Sequence, residues 1–103
     1  MRRFLMVIAV LSLAACSLGR PADDATGEEI YAQLCARCHG ADLGGVAVGP
    51  ALGPGSDSAG ETDEFLRFTI VKGRGRMPSF EQTLDDAQVD RLIDYLREVQ
   101  QGG

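Results

Sequence analysis

The chain has 103 residues, with 15 acidic side chains against 10 basic ones, a formal charge of −5 and 45% hydrophobic residues. This length accommodates one small domain, and the acidic balance argues against nucleic acid as a partner. Three cysteines, three methionines and a single histidine leave very few side chains for metal or redox chemistry.

At the start, Arg2 and Arg3 precede an apolar run from Phe4 to Ala15 broken only by Ser12. The run is well short of the roughly 20 residues that a membrane-spanning helix needs and matches the apolar region of an export signal. It ends in Leu13-Ala14-Ala15-Cys16, which resembles the bacterial lipobox, so residues 1–15 are expected to be removed and Cys16 to carry lipid. The alternative is an ordinary signal peptide cut nearby, which would leave Cys16 as an unpaired thiol in an oxidising compartment. Loss of Arg2 and Arg3 would make the mature chain more acidic still. Residues 16–24 are short, polar and interrupted by Pro21, which predicts a flexible tether between lipid and a domain over 25–103.

A helix is predicted next, with Thr26 as N-cap, Glu28 and Glu29 in its first turn, and Ile30, Tyr31, Leu34, Cys35 and Cys38 recurring on one side. Its C-terminal end carries Cys35-Ala36-Arg37-Cys38-His39, the C-x-x-C-H pattern that attaches a c-type haem. Two thiols on one turn can reach the two vinyl groups of a single porphyrin while the adjacent imidazole turns to the iron. Cys35 and Cys38 are therefore expected to form thioethers and His39 to be the proximal ligand. Three other readings exist. A structural zinc needs four ligands and finds no second Cys/His cluster here, a thioredoxin-type dithiol needs a βαβ context that nothing upstream supplies, and a plain Cys35–Cys38 disulfide is the simplest.

Between Gly40 and Gly60 lie seven of the 13 glycines together with Pro50 and Pro54, which predicts an ordered loop wrapped on the cofactor. A second helix follows, capped by Thr62, containing Phe65, Leu66, Phe68, Ile70 and Val71, and stopped at Gly73. The last helix starts at Asp85 with Gln88 in the N3 place of a capping box and carries Val89, Leu92, Ile93, Leu96 and Val99 as its apolar stripe. No sheet and no internal repeat are expected.

With one histidine, the sixth position of the iron cannot be filled by a second imidazole of this chain. Met1 and Met6 belong to the signal, which leaves Met77 in Gly73-Arg74-Gly75-Arg76-Met77-Pro78 as the candidate. A methionine in isolation is more often core filler; beside a haem motif it is expected to be an axial ligand.

Taken together these residues resemble a small bacterial class I, single-haem cytochrome c over about residues 26–100. The resemblance implies an all-α fold of three or more helices, with the Gly/Pro-rich loop wrapped around one haem c held through two thioethers. It further implies that Gly27 and Tyr31 of the first helix pack against Tyr95 of the last, so that the terminal helices cross. It also implies that the Pro50 carbonyl, in Gly49-Pro50-Ala51-Leu52, accepts the Nδ1–H of His39.

His39 and Met77 together would leave iron with no vacant position, so the expected function is one-electron transfer and not catalysis. The protein is expected to work as an exported monomer, lipid-anchored at the outer face of a bacterial membrane, exchanging electrons with redox proteins, in particular membrane oxidoreductases. The alternatives are a cytochrome subunit of a larger membrane oxidoreductase and a haem enzyme or gas sensor in which Met77 is labile. Arg67, Lys72, Arg74 and Arg76 precede Met77, whereas the last helix carries Asp85, Asp86, Asp90, Asp94 and Glu98, which predicts a charge dipole.

Overall fold

A computed structural model describes residues 19–102. The expected signal segment and Cys16 lie outside the described residues. Among the described residues there are four α-helices: α1 (Gly27–Leu34), α2 (Ala36–His39), α3 (Asp63–Lys72) and α4 (Asp86–Gly102), with a 3-10 turn over Asp57–Gly60. The fold is all-α, as expected. Among the described residues the sheet-like pairings are two isolated bridges, Val46 with Gly49 and Arg74 with Met77.

Each long helix starts where its capping residues predict. Thr26 accepts from the Glu29 backbone N–H at 3.1 Å while the Glu29 carboxylate accepts from the Thr26 N–H at 3.0 Å. The Thr26 backbone N–H, and after it the Thr26 side chain, lowers the Glu29 carboxyl from its ordinary value. Thr62 caps α3 through Phe65 N–H at 3.0 Å, and Asp85 with Gln88 forms the reciprocal pair at the start of α4, both bonds at 2.8 Å. Satisfying the orphan donors at each start is what makes these boundaries sharp. Gly73 ends α3 at φ 77°, in the left-handed region where a glycine carries no penalty.

The core lies between α1 and α4. Ile30, Tyr31 and Leu34 of α1 meet Val89, Leu92, Ile93 and Leu96 of α4, with Leu66 and Ile70 of α3 closing the third side. The crossing is close because of Gly27: a Cβ there would overlap the Arg91 carbonyl oxygen and come within 2.7 Å of Tyr95 Cβ. Above that contact the Tyr31 and Tyr95 rings pack tilted, with centroids 5.7 Å apart. Such a pair contributes about 0.5–1.5 kcal/mol beyond its buried area.

The tether expected over residues 16–24 differs in its described part. Residues 19–24 are bound to the domain, because Gln33 Nε2 donates to the Gly19 carbonyl at 2.7 Å and Arg91 Nη2 to that of Asp23 at 2.7 Å. Arg91 Nε also donates to the Ala25 carbonyl at 2.9 Å, and Pro21 is buried. The polar composition of this stretch signals disorder, but its backbone carbonyls find donors on α1 and α4.

Gly27→Ala is expected to destabilise the protein by about 1–3 kcal/mol, the range for overpacking a close contact. Because the nearest obstacle is backbone, adding Tyr95→Ala should not restore stability. Denaturant unfolding of the two variants checks this, and rescue by the second substitution would contradict the geometry.

Candidate functional site

The end of α1 and the turn of α2 set the positions of Cys35, Cys38 and His39. Cys35 N–H donates to the Tyr31 carbonyl at 2.9 Å, and the Cys35 carbonyl in turn accepts from Cys38 N–H at 3.2 Å and His39 N–H at 3.0 Å. The chain then leaves helical geometry at Gly40, φ 87°, whose carbonyl accepts the buried Tyr31 hydroxyl at 2.6 Å. Burial is the main reason the Tyr31 hydroxyl is pushed up to about 12, so it remains a donor at any ordinary pH.

His39 is buried, and its Nδ1 lies 2.7 Å from the Pro50 carbonyl oxygen. A carbonyl can only accept, so Nδ1 carries the proton, and in the neutral imidazole the lone pair is then on Nε2. The partner loop is held just as tightly. Gly45 N–H donates to the His39 carbonyl at 2.8 Å, and the Leu43 carbonyl accepts from Leu52 N–H at 2.8 Å and Gly53 N–H at 3.0 Å. Leu43 itself sits at φ 62°, an unfavourable region for a branched side chain, and is buried. Gly49 is where the loop presses on the motif: a Cβ there would overlap the Cys38 carbonyl and come within 3.2 Å of His39 Nδ1.

Met77 is presented by a second tight turn. Arg74 N–H and Met77 N–H exchange bonds with each other's carbonyls at 3.1 and 2.9 Å, around Gly75 at φ 58°. The return strand is pinned to the end of α3 by Phe80 N–H to the Ile70 carbonyl at 3.1 Å and Ser79 Oγ to the Val71 carbonyl at 2.6 Å. A side chain at Gly73 would come within 2.6 Å of the Met77 carbonyl, so this turn also has no room to drift.

Cys35, Cys38, His39, Pro50 and Met77, five residues singled out from sequence, line one cavity of about 600 Å³. Its walls are apolar, with Leu34, Leu52, Leu66, Ile70, Phe80 and Leu96 among them, and charged groups sit at Arg37, Arg74, Arg76, Asp57 and Glu61. The sixth singled-out residue, Cys16, lies outside the described residues. The donors are two thiols, one imidazole nitrogen and one thioether, a set that fits haem iron with covalent attachment. Cys35 and Cys38 are not joined to each other. Burial pushes the Cys35 thiol up to about 12, the opposite of the lowered thiol of a dithiol redox motif. Among the described residues no group of three or more Cys, His, Asp or Glu side chains is placed to hold a metal ion.

Sequence reasoning did not find the clamp that shapes the far wall. Arg97 Nε pairs with Asp63 at 2.8 Å, Nη1 reaches the Ser58 carbonyl at 3.2 Å and Nη2 the Glu61 carbonyl. Gln100 Nε2 donates to the Leu52 carbonyl at 2.9 Å. Nothing local marks these α4 side chains as different from other polar residues on its outer face. The expected basic cluster before Met77 is also modified: Arg67 pairs with Asp90 of α4, Lys72 with Glu81 at 2.9 Å, and Arg74 stacks over Phe65 at 5.7 Å.

An all-α fold around an apolar cavity with this donor set defines a small c-type cytochrome. Residues 22–96 match the model of the family described as cytochrome C oxidase, cbb3-type, subunit III, and the chain belongs to that family. It is 41% identical over 73 residues to cytochrome c-551 of Bacillus subtilis, covering 70% of this chain and 60% of that one. It is 44% identical over 78 residues to dihydro-heme d1 dehydrogenase of Pseudomonas aeruginosa, covering 73% of this chain but only 15% of the larger protein. Among solved structures, the c-type cytochrome NirC superposes with a TM-score of 0.61 at 34% identity, over 70% of this chain and 85% of its own. The cofactor of the family is covalently bound c-type haem.

Gly49→Ala is expected to lower stability by about 1–3 kcal/mol, because the loop must move off Cys38 and His39. Gly60→Ala, at a site with nothing within 4 Å, should be neutral or stabilise by up to about 1 kcal/mol. Thermal unfolding of both, with the His39 Nδ1 proton followed by NMR, tests the contrast; faster solvent exchange of that proton is expected in Gly49→Ala alone.

Proposed function

We propose that this chain is a one-electron carrier in which Cys35 and Cys38 hold the haem and His39 and Met77 are the axial ligands. Its place is outside the cytoplasm, with the mature chain lipid-anchored through Cys16 at a membrane face turned to the periplasm or the exterior. Its partners are redox proteins, membrane oxidoreductases above all. The observation that carries the reading is that all four donors line one apolar cavity while the Pro50 carbonyl orients His39.

Haem bound there supplies a couple that changes by one electron. The chain's own residues decide what else is possible. Pro50, by accepting from Nδ1, directs Nε2 as the donor nitrogen and raises its basicity. Met77, on a turn fixed at both ends, would supply its thioether to the iron and so leave no place there for a small ligand. The aliphatic walls exclude water and disfavour added charge on the metal, which together with a thioether ligand raises the potential. Buried side chains suited to proton transfer are lacking at the described cavity, since its only imidazole is committed to Pro50.

A second reading, a subunit of a larger oxidoreductase, is favoured by the family's description and by the small share of the dehydrogenase that the chain covers. The two differ in whether the protein leaves the membrane alone or with other chains when extracted in mild detergent.

Reduced wild-type protein should bind carbon monoxide slowly or not at all, and the ferric form should show the weak long-wavelength absorption of a thioether–iron bond. Met77→Ala should make carbon monoxide binding fast, whereas Met77→His should keep six-coordinate iron and lower the potential within the about 0.8 V range that axial ligands command. If reduced wild type binds carbon monoxide as readily as Met77→Ala, the carrier reading fails and a ligand-binding haem protein replaces it.

A further inference from the structure

We propose that residues 19–25 are a strap of the folded domain, so that Ser17 and Leu18 are the whole leash between a lipidated Cys16 and the cytochrome, which therefore rides on the membrane surface with its strap side down. This rests on the lipid anchor proposed above and goes beyond it by specifying how close and which way round the domain is held.

The strap is bound along its length through backbone carbonyls. Gly19 is held by Gln33 at 2.7 Å, Pro21 and Ala22 by Gln88 Nε2 at 3.4 and 3.3 Å, and Asp23 and Ala25 by Arg91 at 2.7 and 2.9 Å. Gln88 is buried, and its Oε1 is already occupied by the Asp85 N–H. Peeling the strap away would break these bonds and uncover the Gln88 side chain. Pro21 and Ala25 would lose their burial as well.

A docked Gly19 shortens the reach of the anchor. Even fully extended, the chain from Cys16 to Gly19 spans only about 11 Å. A lipid inserted at Cys16 thus draws down the face formed by the strap, the start of α4 and Gln33 of α1. None of Gln33, Gln88 and Arg91 lines the haem cavity, so the cavity mouth is not the surface pulled to the bilayer. The strap face exposes Asp23, Asp24 and Glu28 against one base, Arg20, so its net charge is acidic and attraction to anionic lipid does not hold it there; the leash does.

The test uses full-length holoprotein, with its own lipid, in phosphatidylcholine vesicles bearing a headgroup fluorophore that haem quenches at close range. Flotation with the vesicles reports the anchor and quenching reports the distance. Wild type should float and quench strongly, with no weakening on added salt. Inserting 20 Gly/Ser residues between Leu18 and Gly19 adds roughly 25 Å of mean reach and should keep flotation while most of the quenching is lost. Gln88→Ala with Arg91→Ala should lose part of it with an unchanged haem spectrum. Flotation with quenching indifferent to the insertion overturns the strap and leaves the anchor. Absence of flotation, as expected only for Cys16→Ser, would remove the anchor and this inference with it. Should the double variant fail to fold, the insertion decides alone.

Discussion

The hydrogen bond from His39 Nδ1 to the Pro50 carbonyl is the constraint on which the site depends. To make it, the loop after the motif must turn back against α2, and the neighbouring oddities follow. Gly49 has to be a glycine because the loop touches the Cys38 carbonyl, and Leu43 takes a left-handed conformation because its carbonyl must meet both Leu52 and Gly53. Strain at Leu43, of order 1–3 kcal/mol, persists because those bonds and its burial over-determine it. What is gained is a fixed ring orientation and, in the neutral imidazole, one tautomer.

The cavity is the second organising fact. Helices α1 and α4 cross closely at Gly27 and supply a small core on one side, while the other side of that core is the wall of the cavity itself. Leu34, Leu66, Ile70, Phe80 and Leu96 belong to both. In a domain this small the covalently bound cofactor of the family, seated in this cavity, would be core as well as reactive centre, and the same side chains would set stability and redox environment. Arg97 and Gln100 extend this from α4 to the opposite loop, whose backbone would otherwise have few reasons to stay closed.

Local signals were readable in the residues. Thr26, Thr62 and Asp85 declare their helices because capping needs only a hydroxyl or carboxylate three residues from a free N–H. The spacing of Cys35, Cys38 and His39 suggests their chemistry, and Met77, the methionine left when Met1 and Met6 are given to the expected signal, lines the same cavity. Long-range pairings were not readable. Residues 19–24 have the composition of a linker, yet their carbonyls are bound by Gln33, 14 positions from Gly19, and by Gln88 and Arg91, some 66 to 68 positions away in sequence. The same is true of Arg67 and Lys72, whose charges look available in sequence but are paired with Asp90 and Glu81. Pro50 shows the intermediate case: its role came from family resemblance, since nothing in one proline announces that its carbonyl will meet a histidine eleven residues earlier.

These strands meet in one claim, that His39 and Met77 hold the same iron from two independently fixed turns. The most direct measurement is the NMR spectrum of the reduced protein carrying a 13C label on methionine methyl groups, where Met77 is the one labelled site once the signal proposed for residues 1–15 is removed. The account predicts a single methyl resonance moved far upfield by the porphyrin ring current and unaffected by carbon monoxide. A methyl resonance at the ordinary position for a methionine in a protein core would contradict it.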